Sequence, residues 1–413
     1  LSTAADGREL PGRLPVGEAR RLVLAGVSPL GTEGVRLEAA LGRVGAEPVR
    51  TPDDVPAFDT SAMDGFAASS VDLPGELTVV GDSSAGSPWS GRLGPGTAVG
   101  ISTGAQVPEG ADTVVKIEDT EPGSGDPPVT VVVGKPVPAG QNIRWRAEIM
   151  SAGTPVMGAG TRIGAVEAGL LASTGTDPVA CHTRPRIAIV ATGDELVESG
   201  GPRAPGQIWN SNLPVISAMA RSAGAEVASA AVAADSPEAT VTALEAGMDS
   251  DLLVICGGVS VGDHDHVKGA LSGLGAERIF WGLAMKPGRP AWFGIRGKTR
   301  ILGLPGNPVS AMAVFAILGL PLLRLLGGES TAGVDAQPSA FLTAPVNRLS
   351  DRLLAAPCRM RQRDGRVELE PIAIKGSHDF ISLSGVDSLA MIDPGDGRAE
   401  AGDLVPLVRL GGH

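Results

Sequence analysis

The feature that most constrains this chain is a regular alternation of strand-like and helix-like segments between Pro185 and Gly328. Arg186–Ala191, Glu226–Val232, Asp251–Cys256 and Arg300–Leu304 are short runs rich in Val, Ile, Leu and Ala, and read as strands. Leu213–Ala223, Pro237–Met248, His266–Leu274 and Pro308–Leu326 read as helices. Strands that are apolar along their length, rather than at every second residue, are buried on both faces. Alternated with helices they predict a parallel sheet covered on either side.

The flanking regions have other textures. Val16–Ala25 and Val35–Ala46 carry apolar residues at three- and four-residue spacing and read as helices. From Thr51 to Ile149, strand-like runs (Leu77–Val80, Ala98–Ile101, Thr113–Ile117, Val129–Val133) are separated by Gly, Pro, Ser and Asp clusters, which predicts a β-rich insert. Short β segments return beyond Glu329, at Leu353–Arg361 and Val367–Leu369. A chain of 413 residues exceeds one hydrophobic core, so about two to four domains are expected. Gly 58 and Pro 33 are spread along the whole length and mark turns rather than a low-complexity tail.

Charge narrows the partners. A formal net charge of −12 leaves no general basic surface and argues against nucleic acid. An anionic ligand would have to be held by local cations, helix N-termini or a metal ion. Cys181, Cys256 and Cys358 are odd in number and far apart, which excludes a disulfide framework and fits a reducing cytoplasm. No apolar signal-peptide core opens the sequence. The longest apolar run, Ala311–Leu323, is shorter than a membrane span and is interrupted by Pro321. A buried helix and a cytoplasmic protein without membrane contact are expected.

In an open parallel sheet, ligands bind beyond the carboxyl ends of the strands. Three loops leave such ends: Ala191-Thr192-Gly193-Asp194-Glu195; Gly257-Gly258-Val259-Ser260-Val261-Gly262-Asp263-His264-Asp265; and Gly303-Leu304-Pro305-Gly306-Asn307-Pro308-Val309-Ser310. Their glycines let backbone N–H groups approach a phosphate, and a helix N-terminus adds partial positive charge. Pro308 suits the first turn of its helix and Asn307 is a candidate N-cap. Carboxylates gather in the same loops: Asp194, Glu195, Asp235, Asp263 and Asp265. Beside phosphate they call for a divalent cation such as Mg²⁺, although Asp235 and Asp263 also read as helix N-caps. His264 and His266 alternate with Asp263 and Asp265, so on an extended loop they point away from the carboxylates, which disfavours a shared His/Asp metal cluster. Lys286-Pro287-Gly288-Arg289-Pro290 sets two cations on a stiff turn, suited to an oxyanion or else to solvent.

These loops, with Phe58-Asp59-Thr60-Ser61-Ala62-Met63-Asp64-Gly65-Phe66-Ala67, resemble the molybdopterin molybdenumtransferase family, which includes the E domain of gephyrin. The decapeptide is close to that family's SAMDGYA signature. Ser102–Ala105, Pro108–Asp112, Gln141–Arg144, Thr192–Leu196, Ser211-Asn212, Gly257–Asp265, Met285–Pro290 and Gly303–Ser310 follow in family order, so the resemblance spans about Leu14 to Leu407.

The resemblance implies an α/β multidomain fold with four parts: a discontinuous helical/β linking domain (1–50 and 150–184), a β-rich domain (51–149), a molybdopterin-binding α/β domain (185–328) and a small C-terminal β domain (329–413). It implies Mg²⁺-dependent insertion of molybdate into adenylylated molybdopterin with release of AMP, the final step of molybdenum cofactor biosynthesis, by a homodimer. The adenylyltransferase that supplies the substrate and the molybdoenzymes that receive the product are implied partners. Carried over by position, Asp64, Thr103, Glu195, Asp235 and Asp265 are catalytic, with Glu195 and Asp265 also binding metal. Ser61, Thr192, Gly193, Asp194, Gly257, Gly258, Ser260, Gly262, Lys286, Arg289, Pro305, Gly306, Asn307, Pro308 and Ser310 bind the pterin substrate or molybdate. Arg359, Ser377 and Ser382 match more loosely.

Three positions depart from the family. Its Gly-Glu-Asp is Ala147-Glu148-Ile149 here, so a carboxylate is replaced by Ile149; Gly282 stands where Lys is common; and the cation pair is Lys–Arg rather than Lys–Lys. Two alternatives stay open at this point: a diverged paralogue that binds molybdopterin as scaffold or carrier, and a molybdopterin adenylyltransferase, which shares the Gly257–Gly262 type of loop.

Overall fold

In a computed structural model, residues 12–125, 129–260, 266–335 and 337–411 are described. They form two compact units, one of Leu1–Glu47, Ala159–Ala165 and Pro178–His413, the other of Pro48–Gly158 and Val166–Asp177.

The larger unit is built on a six-stranded sheet. Its strands are β1 (Arg186–Thr192), β2 (Glu226–Ala233), β3 (Leu252–Cys256), β4 (Glu277–Trp281), β5 (Trp292–Arg296) and β6 (Thr299–Leu304). They lie in the order β2-β1-β3-β6-β5-β4. β2, β1, β3 and β6 are parallel neighbours, as the alternation predicts. The sheet is nevertheless mixed, because β5 runs antiparallel to both β6 and β4. These two strands escape a reading for aliphatic runs since their burial rests on aromatic residues, Phe280 and Trp281 in β4 and Trp292 and Phe293 in β5. Gly297, at φ 58°, turns the β5–β6 hairpin.

Side chains alternate across β1, β3 and β6, whose two faces are buried; β2, expected to be buried likewise, is the edge strand and is largely exposed. Ile187, Ile189, Leu252, Val254 and Leu302 join the core that includes α1 (Asn212–Ser222) and α4 (Pro308–Leu326). Ala188, Val190, Leu253, Ile255 and Ile301 join the one that includes α2 (Pro237–Gly247) and α3 (His266–Gly273). By length and apolar composition α4 could cross a bilayer, yet it is almost wholly buried within the chain. Pro321 does not interrupt it. A π-helical stretch, Phe315–Gly319, precedes the proline, and the Leu320 N–H reaches back to the Phe315 carbonyl. That widening absorbs the missing donor and the ring that would break a regular α-helix.

Beyond α4, strands Leu353–Arg363, Arg366–Pro371, Ser339–Leu342, Leu404–Arg409 and Ser388–Ile392 pair in that order, and the last pairs with the first to close a small barrel. Its interior holds Leu342, Cys358, Leu369, Ala390, Ile392 and Leu407. Met285–Lys286, from the loop between β4 and β5, adds to the barrel as a parallel neighbour of Leu353-Leu354. Near the N-terminus the helix Val16–Leu24 forms as expected. The helix expected over Val35–Ala46 does not. Thr32–Val35 is a strand against Val179–His182, and one helical turn, Leu37–Ala40, ends before Gly42 at φ 74°. Cys181, Cys256 and Cys358 are buried free thiols. Burial pushes Cys256 and Cys358 up to about 12, so neither is a thiolate at neutral pH.

The smaller unit holds a six-stranded sheet in the order Thr113–Lys116, Gly65–Ala68, Thr97–Ile101, Gly75–Ser83, Thr130–Val133, Glu121–Pro122. Gly65 is required by close approach. A Cβ there would lie 1.9 Å from the Val115 carbonyl oxygen of the adjacent strand.

Candidate active site

The parallel strands deliver their loops to one edge of the larger unit. The order reverses between β1 and β3, the switch point at which such sheets bind ligands. There Gly257 and Gly258 adopt φ of 96° and 63°. A Cβ on either would sit 3.1 Å from Thr192 Oγ1, so the two glycines let the β3 loop lie against the end of β1. Gly306 lies in ordinary contact with them, as its Cβ would be 3.8 Å from Gly257 Cα. Three of the predicted loops therefore meet. Val261, Gly262, Asp263, His264 and Asp265 lie outside the described residues.

The acidic residues divide by partner. Asp194 Oδ1 accepts the Asp235 backbone N–H at 2.9 Å, which ties the β1 and β2 loops together. Asp235 is not the helix cap. Ser236 takes that place, its hydroxyl accepting the Ala239 N–H at 3.2 Å with Pro237 in the first turn. The Glu195 carboxylate lies over Gly193, where a Cβ would be 2.4 Å from Oε2. Among the described residues no three His, Cys, Asp or Glu side chains gather as a metal cage. Mg²⁺ needs no such cage, since one or two carboxylates with phosphate oxygens and water suffice. Glu195 fits that demand. Ser260 is fixed through its carbonyl, which accepts Lys268 Nζ at 2.6 Å. The Lys268 ammonium stacks 4.1 Å from the Trp281 ring centroid, and Trp281 Nε1 donates to Val259 O at 2.8 Å.

Asn307 takes the N-cap position of α4, as expected, but its side chain makes no cap bond, and the Val309 N–H donates to the Ser377 carbonyl at 3.1 Å. Instead Asn307 Nδ2 donates to Ser377 Oγ at 2.9 Å, joining the helix start to the barrel segment. Pro308 occupies the first turn as expected. Asn212 Nδ2 donates to Gly306 O at 2.8 Å. Asn212 Oδ1 and Asn210 Nδ2 are buried without a partner beside that loop.

Next to this edge lies a cavity of about 840 Å³ walled by the Lys286–Pro290 turn, Pro305, Asn307, Ser310 and three barrel-side segments. Four cations line it, Lys286, Arg289, Arg352 and Lys375, with Ser310, Ser377 and Asn307 as neutral polar groups; none of the described lining residues is a carboxylate, although Arg352 Nε donates to the neighbouring Asp351 at 2.9 Å. Gly288, at φ 121°, makes the turn, and a Cβ would strike Met285 and Val314 at 2.5 and 2.6 Å. Arg289 Nε is buried and unpaired. A buried donor with no protein partner, in a cavity whose described lining carries no carboxylate, suits an anionic ligand.

Of the loosely matched residues, Ser377 lines this cavity. Arg359 and Ser382 do not. Arg359 Nη2 is spent on Ser384 O at 2.7 Å, and Ser382 Oγ donates to Asp379 at 2.9 Å. Arg352, Lys375 and Asn210 were not singled out in the sequence. Asn210 carried a signal, immediately before Ser211-Asn212; the two cations lie on barrel segments without a motif.

In the smaller unit, Asp64 Oδ1 accepts the Thr103 N–H at 2.7 Å and its hydroxyl at 3.0 Å. These bonds, the backbone one foremost, hold the Asp64 carboxyl below its ordinary range. Ser61 is fully buried and donates to the Met63 carbonyl. That spends its hydroxyl locally and argues against the direct ligand contact expected of it. Ile149 is 67% exposed, while Glu148 Oε2 accepts the Trp145 N–H at 2.8 Å.

A mixed α/β sheet with a cation-lined pocket, walled in part by a small barrel, makes a site suited to an anionic ligand. Residues 188–325 match the family profile described as a probable molybdopterin binding domain. Residues 14–175 match the MoeA N-terminal region (domain I and II), and 339–410 the MoeA C-terminal region (domain IV). The chain belongs to the MoeA family. It is 33% identical over 383 residues to the molybdopterin molybdenumtransferase of Haemophilus influenzae, covering 92% of this chain and 94% of that one. It is 31% identical over 406 residues to that of Bacillus subtilis, covering 96% and 94%. Among solved structures, a molybdopterin biosynthesis MoeA protein from Pyrococcus horikoshii superposes with a TM-score of 0.79 at 27% identity, over 96% of this chain and all of that one.

Proposed function

We propose that this chain is a molybdopterin molybdenumtransferase that inserts molybdate into adenylylated molybdopterin and releases AMP. The observation that carries the reading is the cavity with four cations and, among its described lining residues, no carboxylate, in a chain of net charge −12. Such a cavity favours an oxyanion with a phosphorylated partner and disfavours a neutral or cationic ligand. Lys286, Arg289 and Ser310 are the residues proposed to hold molybdate, with Arg352, Lys375 and Ser377 on the barrel side. The Thr192–Glu195, Gly257–Ser260 and Pro305–Asn307 loops, with N–H groups brought close by their glycines, are proposed to hold the phosphate and pterin.

Mg²⁺ is proposed to be held by Glu195, with Asp265 by resemblance, and when bound it supplies charge neutralisation at the phosphoanhydride. Asp235, Asp64 and Thr103 are proposed to orient the reacting groups. The four-part division at 1–50 with 150–184, 51–149, 185–328 and 329–413 is also proposed, as is a homodimer in which Asp64 and Thr103 of one subunit serve the other's α/β loops. Cytoplasmic action and exchange with an adenylyltransferase and recipient molybdoenzymes complete the proposal.

The decisive experiment is AMP release from adenylylated molybdopterin. Release that requires both molybdate and Mg²⁺ is expected. Release that ignores molybdate, or none at all from folded protein, overturns the assignment. Sedimentation equilibrium checks the assembly, and a mass of 41.7 kDa rather than twice that value refutes the dimer.

A further inference from the structure

A separate cavity of about 270 Å³ lies at the far end of α4. Ser310, in the substrate pocket, and Arg324, in this one, stand about 20 Å apart along the helix. Arg20, Arg162, Arg324 and Arg409 all line it, with Glu329 as the only carboxylate among the described residues of its wall. Ser222 and Gln337 contribute neutral polar groups.

The four guanidiniums are not equivalent. Arg162 is committed to structure. It donates to the Gly42 carbonyl at 2.7 Å, to Ala223 O at 3.2 Å and to Glu329. Arg324 Nε donates to the other Glu329 oxygen at 2.7 Å. One buried carboxylate thus serves two arginines. Arg20 uses Nη2 on the Val334 carbonyl at 2.6 Å, with Asp335 at 3.3 Å. Arg409 makes no side-chain hydrogen bond or ion pair with any described residue, although it lines the cavity. Four guanidiniums therefore face two carboxylates, one of them outside the wall, in a protein whose overall charge is strongly negative.

Positive charge concentrated in a concave site is stabilised by an anion. Guanidinium forks match the tetrahedral, multiply charged oxygens of phosphate better than any monovalent ion. We propose that this cavity is a second anion site, which takes a small phosphate-type dianion held chiefly by Arg409 and Arg20. The ligand is free phosphate or a small phosphomonoester. Because Arg20 lies on the first helix, Arg324 on α4 and Arg409 on the last strand, its binding ties three distant segments together and raises the melting temperature.

The test is calorimetric titration of the full chain with inorganic phosphate and, separately, glycerol phosphate, at constant ionic strength. The substrate pocket also attracts oxyanions, so Lys286→Met serves as the background and Lys298→Ala, on the β5–β6 turn, as the surface-charge control. In the Lys286→Met background, which removes the substrate pocket's own share, Arg409→Ala is expected to weaken the remaining phosphate binding about tenfold or more, while Lys298→Ala stays within about twofold. Arg20→Gln should reproduce the loss, which keeps the test decisive if one variant folds poorly. The tighter of the two ligands identifies the source of the phosphate group. Affinity unchanged in both arginine variants, affinity lost only in Lys286→Met, or no binding at about 10 mM phosphate overturns the proposal.

Discussion

Replacing Arg289 by Met should separate binding from stability. The buried Nε of Arg289 has no partner, and the side chain makes no hydrogen bond or ion pair with any described residue. Leaving a buried donor unsatisfied costs about 1–3 kcal/mol. Removing the guanidinium while keeping an apolar stem of similar length therefore forfeits no internal bond and relieves part of that penalty. The variant should melt at the wild-type temperature or slightly above it. Binding should move the other way. A charge-assisted hydrogen bond to an oxyanion contributes about 1.5–3 kcal/mol, so the concentration of molybdate giving half-maximal AMP release should rise about 10- to 100-fold. Arg289→Lys keeps the charge and should recover most of the affinity, though not the planar two-pronged geometry. The assay pairs thermal melts with molybdate titrations at saturating pterin substrate. A variant that melts several degrees lower with an unchanged molybdate requirement refutes the reasoning, since Arg289 would then be a structural cation rather than a ligand.

Three further outcomes are expected. Ile149→Asp changes an exposed side chain, so stability should stay within about 0.5 kcal/mol while molybdate insertion rises; equal rates in Ile149→Asp and in Glu148→Gln would show that this segment takes no part in the reaction. Gly65→Ala places a methyl 1.9 Å from the Val115 carbonyl and should destabilise the smaller unit by about 2 kcal/mol or more, read as an early melting transition, whereas a wild-type melt would refute the close approach. Burial pushes the Glu329 carboxyl up, but hydrogen bonds from Arg324 and Arg162 outweigh it and hold it below its ordinary range. Its stabilisation is therefore complete above the unfolded value near 4.5 and is lost as pH falls through the lower folded one. Melts of Glu329→Gln should accordingly depend less on pH in the acid range than wild type, and parallel profiles would remove Glu329 from the acid transition.

How much of this was legible depended on whether the information was local. The strands β1, β3 and β6 are written as unbroken aliphatic runs because both faces are buried, and that alone places Thr192, Gly257 and Pro305 at one edge. β4 and β5 are buried only in part, through Phe and Trp on either side of the Lys286–Arg289 turn, and carry no aliphatic run, so the antiparallel half of the sheet is not legible in the sequence. Asn307 takes the N-cap position that its local sequence marks, but its side chain turns to Ser377, seventy residues away, whose carbonyl takes the Val309 N–H. Arg352 and Lys375 follow the same logic. Nothing in their neighbourhood marks them, and they line the cavity where Met285–Lys286 pairs with Leu353-Leu354 and Ser377 bonds the α4 start. A short parallel bridge of two residues per strand is thus one of the contacts that set the barrel side of the cavity. Replacing Leu353 by Pro, which removes the N–H that donates to the Ala284 carbonyl at 3.0 Å beside that bridge, should loosen the barrel side of the cavity while leaving the glycine loops intact.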